Sequence, residues 1–275
     1  MIPKIIHYCW FGDNSLPASA QKCITSWKKF FPDYEIKEWN ESNFDVNCCA
    51  YVKEAYKAKK WAFVSDYARF WILYREGGIY FDTDVEVIRT FDDIIESGPF
   101  MGCEISFDGS IGINPGLGLG VAPNLPLFKE ILDYYKTLRF VKENGELNTS
   151  ITVVENTTTI FIKHNWKPIN KIQSVADITI YPPEYFCPMD YVTGITKISQ
   201  NTHSIHHYTA SWHNKTDEKI ILISRFFINY FGLKWGRKIA RFFDSPFRIK
   251  SKIDTLGFCG MLRFAIQKCF KRKTK

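Results

Sequence analysis

The sequence predicts an α/β protein, with a mostly parallel central sheet flanked by helices, and three observations carry that expectation. Short β-like runs alternate with helical stretches of about 10 to 14 residues along the first half of the chain. A pair of glycines, Gly77 and Gly78, separates the clearest helix from the clearest strand. No internal repeat interrupts the pattern, and composition breaks at one place only, near residue 217.

Taken in order, residues 2–10 form a short apolar strand ended by Gly12 and Asp13. PASAQKCITSWKKF follows as a helix with Pro17 near its start and an apolar stripe of Ile24, Trp27 and Phe30 or Phe31. Residues 33–39 alternate well enough for a second strand, and residues 40–47 are polar and turn-forming. Residues 50–60 read as a helix with lysines on its wet side. In SDYARFWILYREGG, Ser65 is the expected cap, Ala68, Trp71, Ile72 and Arg75 recur at helical intervals, and the glycines stop the helix. Residues 79–81 then give a strand.

Beyond the acids that follow, PFMGCEI is a strand, and GSIGINPGLGLGVAPN packs tightly around another. Its glycines match neither the dinucleotide fingerprint nor a triphosphate loop, which needs a Lys-Ser or Lys-Thr. A helix is expected after Pro123 over residues 125–138. ITVVENTTTIFI is β-branched and of mixed character, and SVADITIYPPEYFCP is a strand running into a proline-broken loop. We expect residues 1–217 to be one domain and residues 218–275 a basic, aromatic, helical extension.

Charge is uneven. The chain of 275 residues has a formal charge of +7, but residues 219–275 alone carry +13, leaving −6 for the remainder. A basic tail on an acidic body suits an anionic membrane surface or a nucleic acid; the acidic body and the lack of an RNA-binding signature argue against nucleic acid. The eight cysteines form no CxxC pair, the opening MIPKIIHYCWFG lacks the apolar middle of a signal peptide, and no apolar run reaches about 18 residues. These features lead to the expectation of a cytoplasmic protein with reduced thiols, peripheral on the inner face of the membrane through a helix over residues 261–270.

The chemistry centres on GGIYFDTDVEV. On a strand, Asp82 and Asp84 share a face, and at the end of an α/β sheet they lie where ligands sit. Two adjacent carboxylates repel unless a cation or donor stands between them, and an oxygen donor set favours Mg²⁺ or Mn²⁺, which would bind phosphate oxygens in turn. Spacing alone leaves a solvated strand end as the other reading. Asp66 and Arg69, three apart on the preceding helix, share a face, which suits either a structural ion pair or a grip on adjacent sugar hydroxyls.

SDYARFWILYREGGIYFDTDVEV, together with IPKIIHYCWFG and IHHYTASW, resembles the DXD-containing glycosyltransferases that include yeast-type mannosyltransferases and bacterial capsular and lipopolysaccharide sugar transferases. More distantly it is similar to the glucosylating domain of clostridial toxins. The likeness covers about residues 2–213. It implies a GT-A fold and retaining, metal-dependent transfer of a hexose from a nucleotide sugar, UDP-linked, to a glycan or lipid-linked glycan of a surface polysaccharide. On that resemblance Asp84 is the direct metal ligand and Asp82 contacts the donor. Asp66 and Arg69 hold sugar hydroxyls, and Tyr80 lines the pocket. Trp10 stacks on the base or joins the core. His207, favoured narrowly over the adjacent His206, completes the shell of a metal that is Mn²⁺ or Mg²⁺, the nitrogen suiting Mn²⁺ somewhat better, or packs beside Tyr208. Ser211 and Trp212 donate to the β-phosphate, and Asn114 lies near the donor sugar. The other classes of function are a noncatalytic carbohydrate-binding protein and a nucleic-acid-associated protein.

Overall fold

The computed structural model describes residues 1–106, 108–209, 215–247 and 250. The chain divides into two compact units: Met1–Tyr191 with Ile195–Thr209, and Val192–Gly194 with Ala210–Lys275.

The first unit is an α/β layer structure around a seven-stranded sheet in the order β2-β1-β3-β6-β5-β8-β7. The strands are β1 (Ile5–Cys9), β2 (Glu35–Trp39), β3 (Gly78–Tyr80), β5 (Phe100–Ile105), β6 (Ile111–Val121), β7 (Gln173–Val175) and β8 (Ile178–Tyr181). The sheet is mixed: β1 runs parallel to β2 and β3, and β5 parallel to β8, while β6 lies antiparallel to both β3 and β5 and β7 antiparallel to β8. A second, two-stranded sheet pairs β4 (Val85–Val87) with β9 (Ser204–His206).

Helices cover both faces. One core gathers around α2 (Ala50–Lys57), α3 (Trp61–Glu76), α5 (Pro126–Thr137) and α6 (Val153–Lys163), with Phe70, Phe128, Tyr135 and Phe161 fully buried. The other gathers around α1 (Ala18–Phe30) and the short helices α4 (Asp92–Glu96) and α7 (Pro183–Phe186), where Trp27, Phe81, Phe91 and Phe186 interlock.

Three local differences from the sequence reading have physical causes. Helix α3 starts four residues before the expected cap, at Trp61, and Ser65 lies inside it, bonding back to the Trp61 carbonyl at 3.2 Å. The mixed segment 151–162 is mostly helix α6, because Thr152 and Glu155 close a reciprocal capping box that outweighs the β-branched content. The acids after β3 do not continue a strand. Thr83 and Asp84 form a turn, closed by Val85 N–H donating to the Asp82 carbonyl at 3.1 Å, so Asp82 and Asp84 do not alternate as strand residues would.

The glycine pair has a steric reason. Gly78 adopts φ 98°, and a Cβ there would stand 2.6 Å from the Ile5 carbonyl and 2.9 Å from His7 Nε2. His7 itself is structural. It accepts from Trp39 Nε1 at 3.0 Å and so donates from Nε2 to the Gly77 carbonyl at 2.9 Å, and burial drives its pKa down to about 4.

In the second unit, α8 (Lys215–Phe243) is broken at Gly232, whose φ 72° and ψ 169° are not helical. The limb after the break folds back on the limb before it. A Cβ on Gly236 would meet the Phe227 carbonyl at 2.4 Å, and Phe227 and Phe243 stack at 4.9 Å.

Candidate active site at the DXD turn

The carboxyl ends of β1 and β3 lie side by side because the two strands are parallel, with His7 opposite Tyr80. Trp10, just beyond β1, and Asp82, just beyond β3, therefore emerge at the same end of the sheet, where open α/β sheets take ligands. The half-buried Trp10 indole donates to the Asn14 carbonyl at 2.6 Å.

Asp82 faces a buried cationic group. Arg69 Nη1 lies 3.2 Å from Asp82 Oδ2, Arg69 Nη2 lies 3.2 Å from Asp66 Oδ1, and its guanidinium sits 5.0 Å over the Tyr80 ring. Tyr80 Oη donates to Asp82 Oδ1 at 3.1 Å. Burial opposes the Arg69 charge, but Asp82, Tyr80 and Asp66 outweigh it and hold the guanidinium more basic than usual. Burial, with Asp82 adding to it against the pull of Arg69, pushes Asp66 up to about 7. This group is arranged around the absence of one side chain: a Cβ on Gly116 would stand 1.8 Å from Asp82 Oδ2. Asp82 N–H also donates to the Gly116 carbonyl at 2.9 Å, tying the turn to β6.

Asp84 has different neighbours. Its Oδ1 is 3.2 Å from His206 Nε2, and its Oδ2 accepts from Thr209 N–H at 2.9 Å and Thr209 Oγ1 at 3.3 Å. Burial opposes its ionisation, yet His206 and the Thr209 amide overcome that and lower it to about 2. His206 is held basic in return, burial working against Asp84. The other ring nitrogen, Nδ1, is buried without a hydrogen-bond partner.

The expectation that His207 would join Asp84 is corrected by the strand geometry. His206, the last residue of β9, takes the Asp84 side, and His207, one residue past the strand, turns to Glu86, 2.7 Å from its Oε2.

Behind His206 lies a cluster that sequence reasoning missed. One ligand-type atom from each of Glu104, Cys187 and His206 lies within 4.8 Å of the other two. Asn114 Nδ2 donates to Glu104 Oε2 at 2.8 Å, Tyr208 Oη donates to the same oxygen at 3.3 Å, and Tyr208 Oη lies 3.0 Å from Cys187 Sγ. Burial raises the pKa of Glu104. Asn114 Oδ1 accepts from Gly116 N–H at 2.7 Å, so the two halves of the site are joined through β6. Ser211 and Trp212 lie outside the described residues.

A divalent cation of the sort a DXD motif implies fits the Asp84 half. Two ligands on one octahedral ion at about 2.1 Å each stand about 3 Å apart, close to the spacing of Asp84 Oδ1 and His206 Nε2. A carboxylate oxygen with an imidazole nitrogen is a donor set that Mn²⁺ accepts readily. Asp82 is engaged by Arg69 and Tyr80 instead.

Residues 17–101, which hold Asp66, Arg69, Tyr80, Asp82 and Asp84, match the family described as the glycosyltransferase sugar-binding region containing a DXD motif. An uncharacterized glycosyltransferase of Acanthamoeba polyphaga mimivirus is 27% identical over 197 residues, covering 68% of this chain and 74% of its own. The mannosyl phosphorylinositol ceramide synthase of Saccharomyces cerevisiae is 26% identical, covering 64% of this chain and 46% of its own. The inositol phosphoceramide mannosyltransferase 3 of Schizosaccharomyces pombe is 34% identical over 34% of this chain and 27% of its own. The chain thus spans under half the length of both yeast relatives. Among solved structures, the PaToxG glycosyltransferase superposes with a TM-score of 0.47 at 19% identity, over 59% of this chain and 69% of that one. The DXD turn and its flanking helix α3 thus lie in a segment similar to the DXD-containing sugar-binding region of glycosyltransferases, on an α/β sheet.

Proposed function

We infer that the chain transfers a hexose from a nucleoside-diphosphate sugar to a glycan or lipid-linked glycan, with a divalent cation and retention at the anomeric carbon. One observation carries this reading: the two acids of the DXD turn have separate partners, a guanidinium for Asp82 and an imidazole for Asp84. That division suits a donor with two chemically different ends.

Asp84 and His206 would hold the cation, Mn²⁺ in preference to Mg²⁺, and when bound it supplies positive charge to the diphosphate oxygens as the glycosidic bond breaks. Asp66 and Arg69, fixed by burial, and the half-buried Asp82, held by Arg69 and Tyr80, offer acceptors and donors suited to orient sugar hydroxyls. Their mutual ion pairs hold them in place before the donor arrives, which lowers the cost of ordering them. Tyr80 closes one wall, Asn114 and Glu104 border the sugar from β6 and β5, and Trp10 provides a ring at the base end. Ser211 and Trp212 would complete the phosphate contacts. The retaining outcome rests on the family resemblance.

The product would enter a surface polysaccharide such as a capsule or lipopolysaccharide. The yeast relatives are named for mannosyl transfer to an inositol-containing sphingolipid, so GDP-mannose belongs beside UDP-galactose, UDP-glucose and UDP-N-acetylglucosamine among the donors to test. The test is nucleoside diphosphate release from each donor with and without Mn²⁺. One donor should be turned over in a metal-dependent way that Asp84→Ala abolishes. No release from any donor, or release untouched by Asp84→Ala, would contradict the reading. Nucleotide-independent sugar binding alone would favour a noncatalytic carbohydrate-binding protein.

A further inference from the structure

The folded-back helix α8 carries a surface that the sugar-transfer reading does not use. Leu222, Phe226 and Tyr230 recur every four residues along its first limb and form one exposed stripe, with Phe226 and Tyr230 stacked at 5.6 Å. After the break at Gly232, Leu233, Trp235, Phe242 and Phe243 are also exposed. The exposures reach 59% at Phe226, 77% at Tyr230, 61% at Trp235 and 78% at Phe242, values unlike those of rings kept for a core.

The charged residues among these rings are cationic, and the acid that follows them, Asp244, is buried. Lys234, Arg237, Lys238 and Arg241 line an open groove on the second limb together with Leu233. Lys238 Nζ sits 4.9 Å over the Trp235 ring. From residue 219 to 243 the sequence has no aspartate or glutamate. A second copy of this surface would present like charge to it, which disfavours self-association here. Among the described residues no helix is long and apolar enough to cross a membrane. An apolar, ring-bearing face beside cationic side chains is what a helix needs to lie in the headgroup region of an anionic bilayer.

We propose that α8 docks the protein on a bilayer containing anionic phospholipid, with Phe226, Tyr230, Trp235 and Phe242 entering the interface and the Lys234–Arg241 groove receiving lipid phosphate. The expected helix over residues 261–270 lies outside the described residues, and α8 provides the surface without it. Docking needs no nucleotide sugar, so its test is independent of the catalytic reading.

The experiment is flotation of the full-length protein with phosphatidylcholine vesicles, with and without phosphatidylglycerol, at low and moderate salt. The wild type should float with the anionic vesicles, lose binding as salt rises, and bind pure phosphatidylcholine about tenfold more weakly or worse. Two variants probe the two chemistries: Lys234→Gln/Lys238→Gln/Arg241→Gln for charge, and Phe226→Ser/Tyr230→Ser/Trp235→Ser for rings. Each should weaken vesicle binding about tenfold while circular dichroism stays that of the wild type. The proposal is overturned if folded variants float like the wild type, if anionic lipid makes no difference, or if α8 mediates dimers or tighter binding to RNA in place of vesicle binding.

Discussion

Asp82 and Asp84 are two residues apart in sequence, yet they occupy separate electrostatic surroundings. Asp82 is bound up with Arg69, Tyr80 and, through Arg69, the buried Asp66. Asp84 is bound up with His206 and the Thr209 backbone. The cause is the turn at Thr83 and Asp84, which aims the second acid toward β9 after the first has met the helix α3. A motif written as one three-letter signature thus serves two purposes: one acid organises a rigid hydrogen-bonding wall, and the other stands beside a histidine at ligand spacing.

The comparison can be tested from either side. Asp84→Ala should cost the most, roughly 10²–10³-fold in kcat with the preferred donor, as expected for removing charge stabilisation of a leaving group. Cation binding should disappear with it, measured by titration calorimetry with Mn²⁺ and nucleoside diphosphate. On the Asp82 side, Gly116→Ala should destabilise the fold by about 1–3 kcal/mol, because the new methyl must displace the Asp82 carboxylate. Transfer should fall while Mn²⁺ binding persists, a split that a shared role for the two acids would not give.

Smaller effects distinguish the neighbours. His206→Ala should weaken Mn²⁺ binding by about 10–100-fold, whereas His207→Ala, which breaks only the contact with Glu86, should leave it within about threefold. Equal losses in both would mean that the placement of the two histidines at the end of β9 does not decide the ligand.

Asp66 gives a pH signature. Its pKa lies near 7 in the folded protein against 3.8 for an ordinary aspartate. The stability contributed by its protonated form is complete below pH 3.8 and is lost as pH rises through 7. Asp66→Asn should flatten that part of the stability curve in urea melts taken from pH 4 to 8, and an unchanged slope would count against a buried, neutralisable acid.

Much of the Asp82 half was legible before the structure. Asp66 and Arg69 sit three apart on an obvious helix, paired glycines end it, and the strand and acids follow at once; local rules cover all of this. Of the Asp84 half, the acid and a late histidine followed from the family resemblance, but the choice between adjacent histidines and the Thr209 contact did not, because these partners lie more than a hundred positions away and depend on strand register. Glu104 and Cys187 read as ordinary members of a strand and of a proline-rich loop. Only burial and the orphaned His206 Nδ1 mark them. The one local signal overlooked was Thr152 and Glu155, whose spacing is that of a capping box although the residues around it favour strands. The fold class was readable from alternation, but the antiparallel insertion of β6 between β3 and β5 was not, since an almost wholly buried run dominated by glycine and apolar residues carries no period that reveals strand direction.

The central claim, that Asp84 and His206 hold the cation which meets the diphosphate, is tested most directly by anomalous diffraction from crystals soaked with Mn²⁺ and nucleoside diphosphate. The account expects a single strong peak within ligand distance of Asp84 and His206. A peak at His207 and Glu86 with nothing at Asp84, or nucleotide bound with no metal beside that carboxylate, would contradict it.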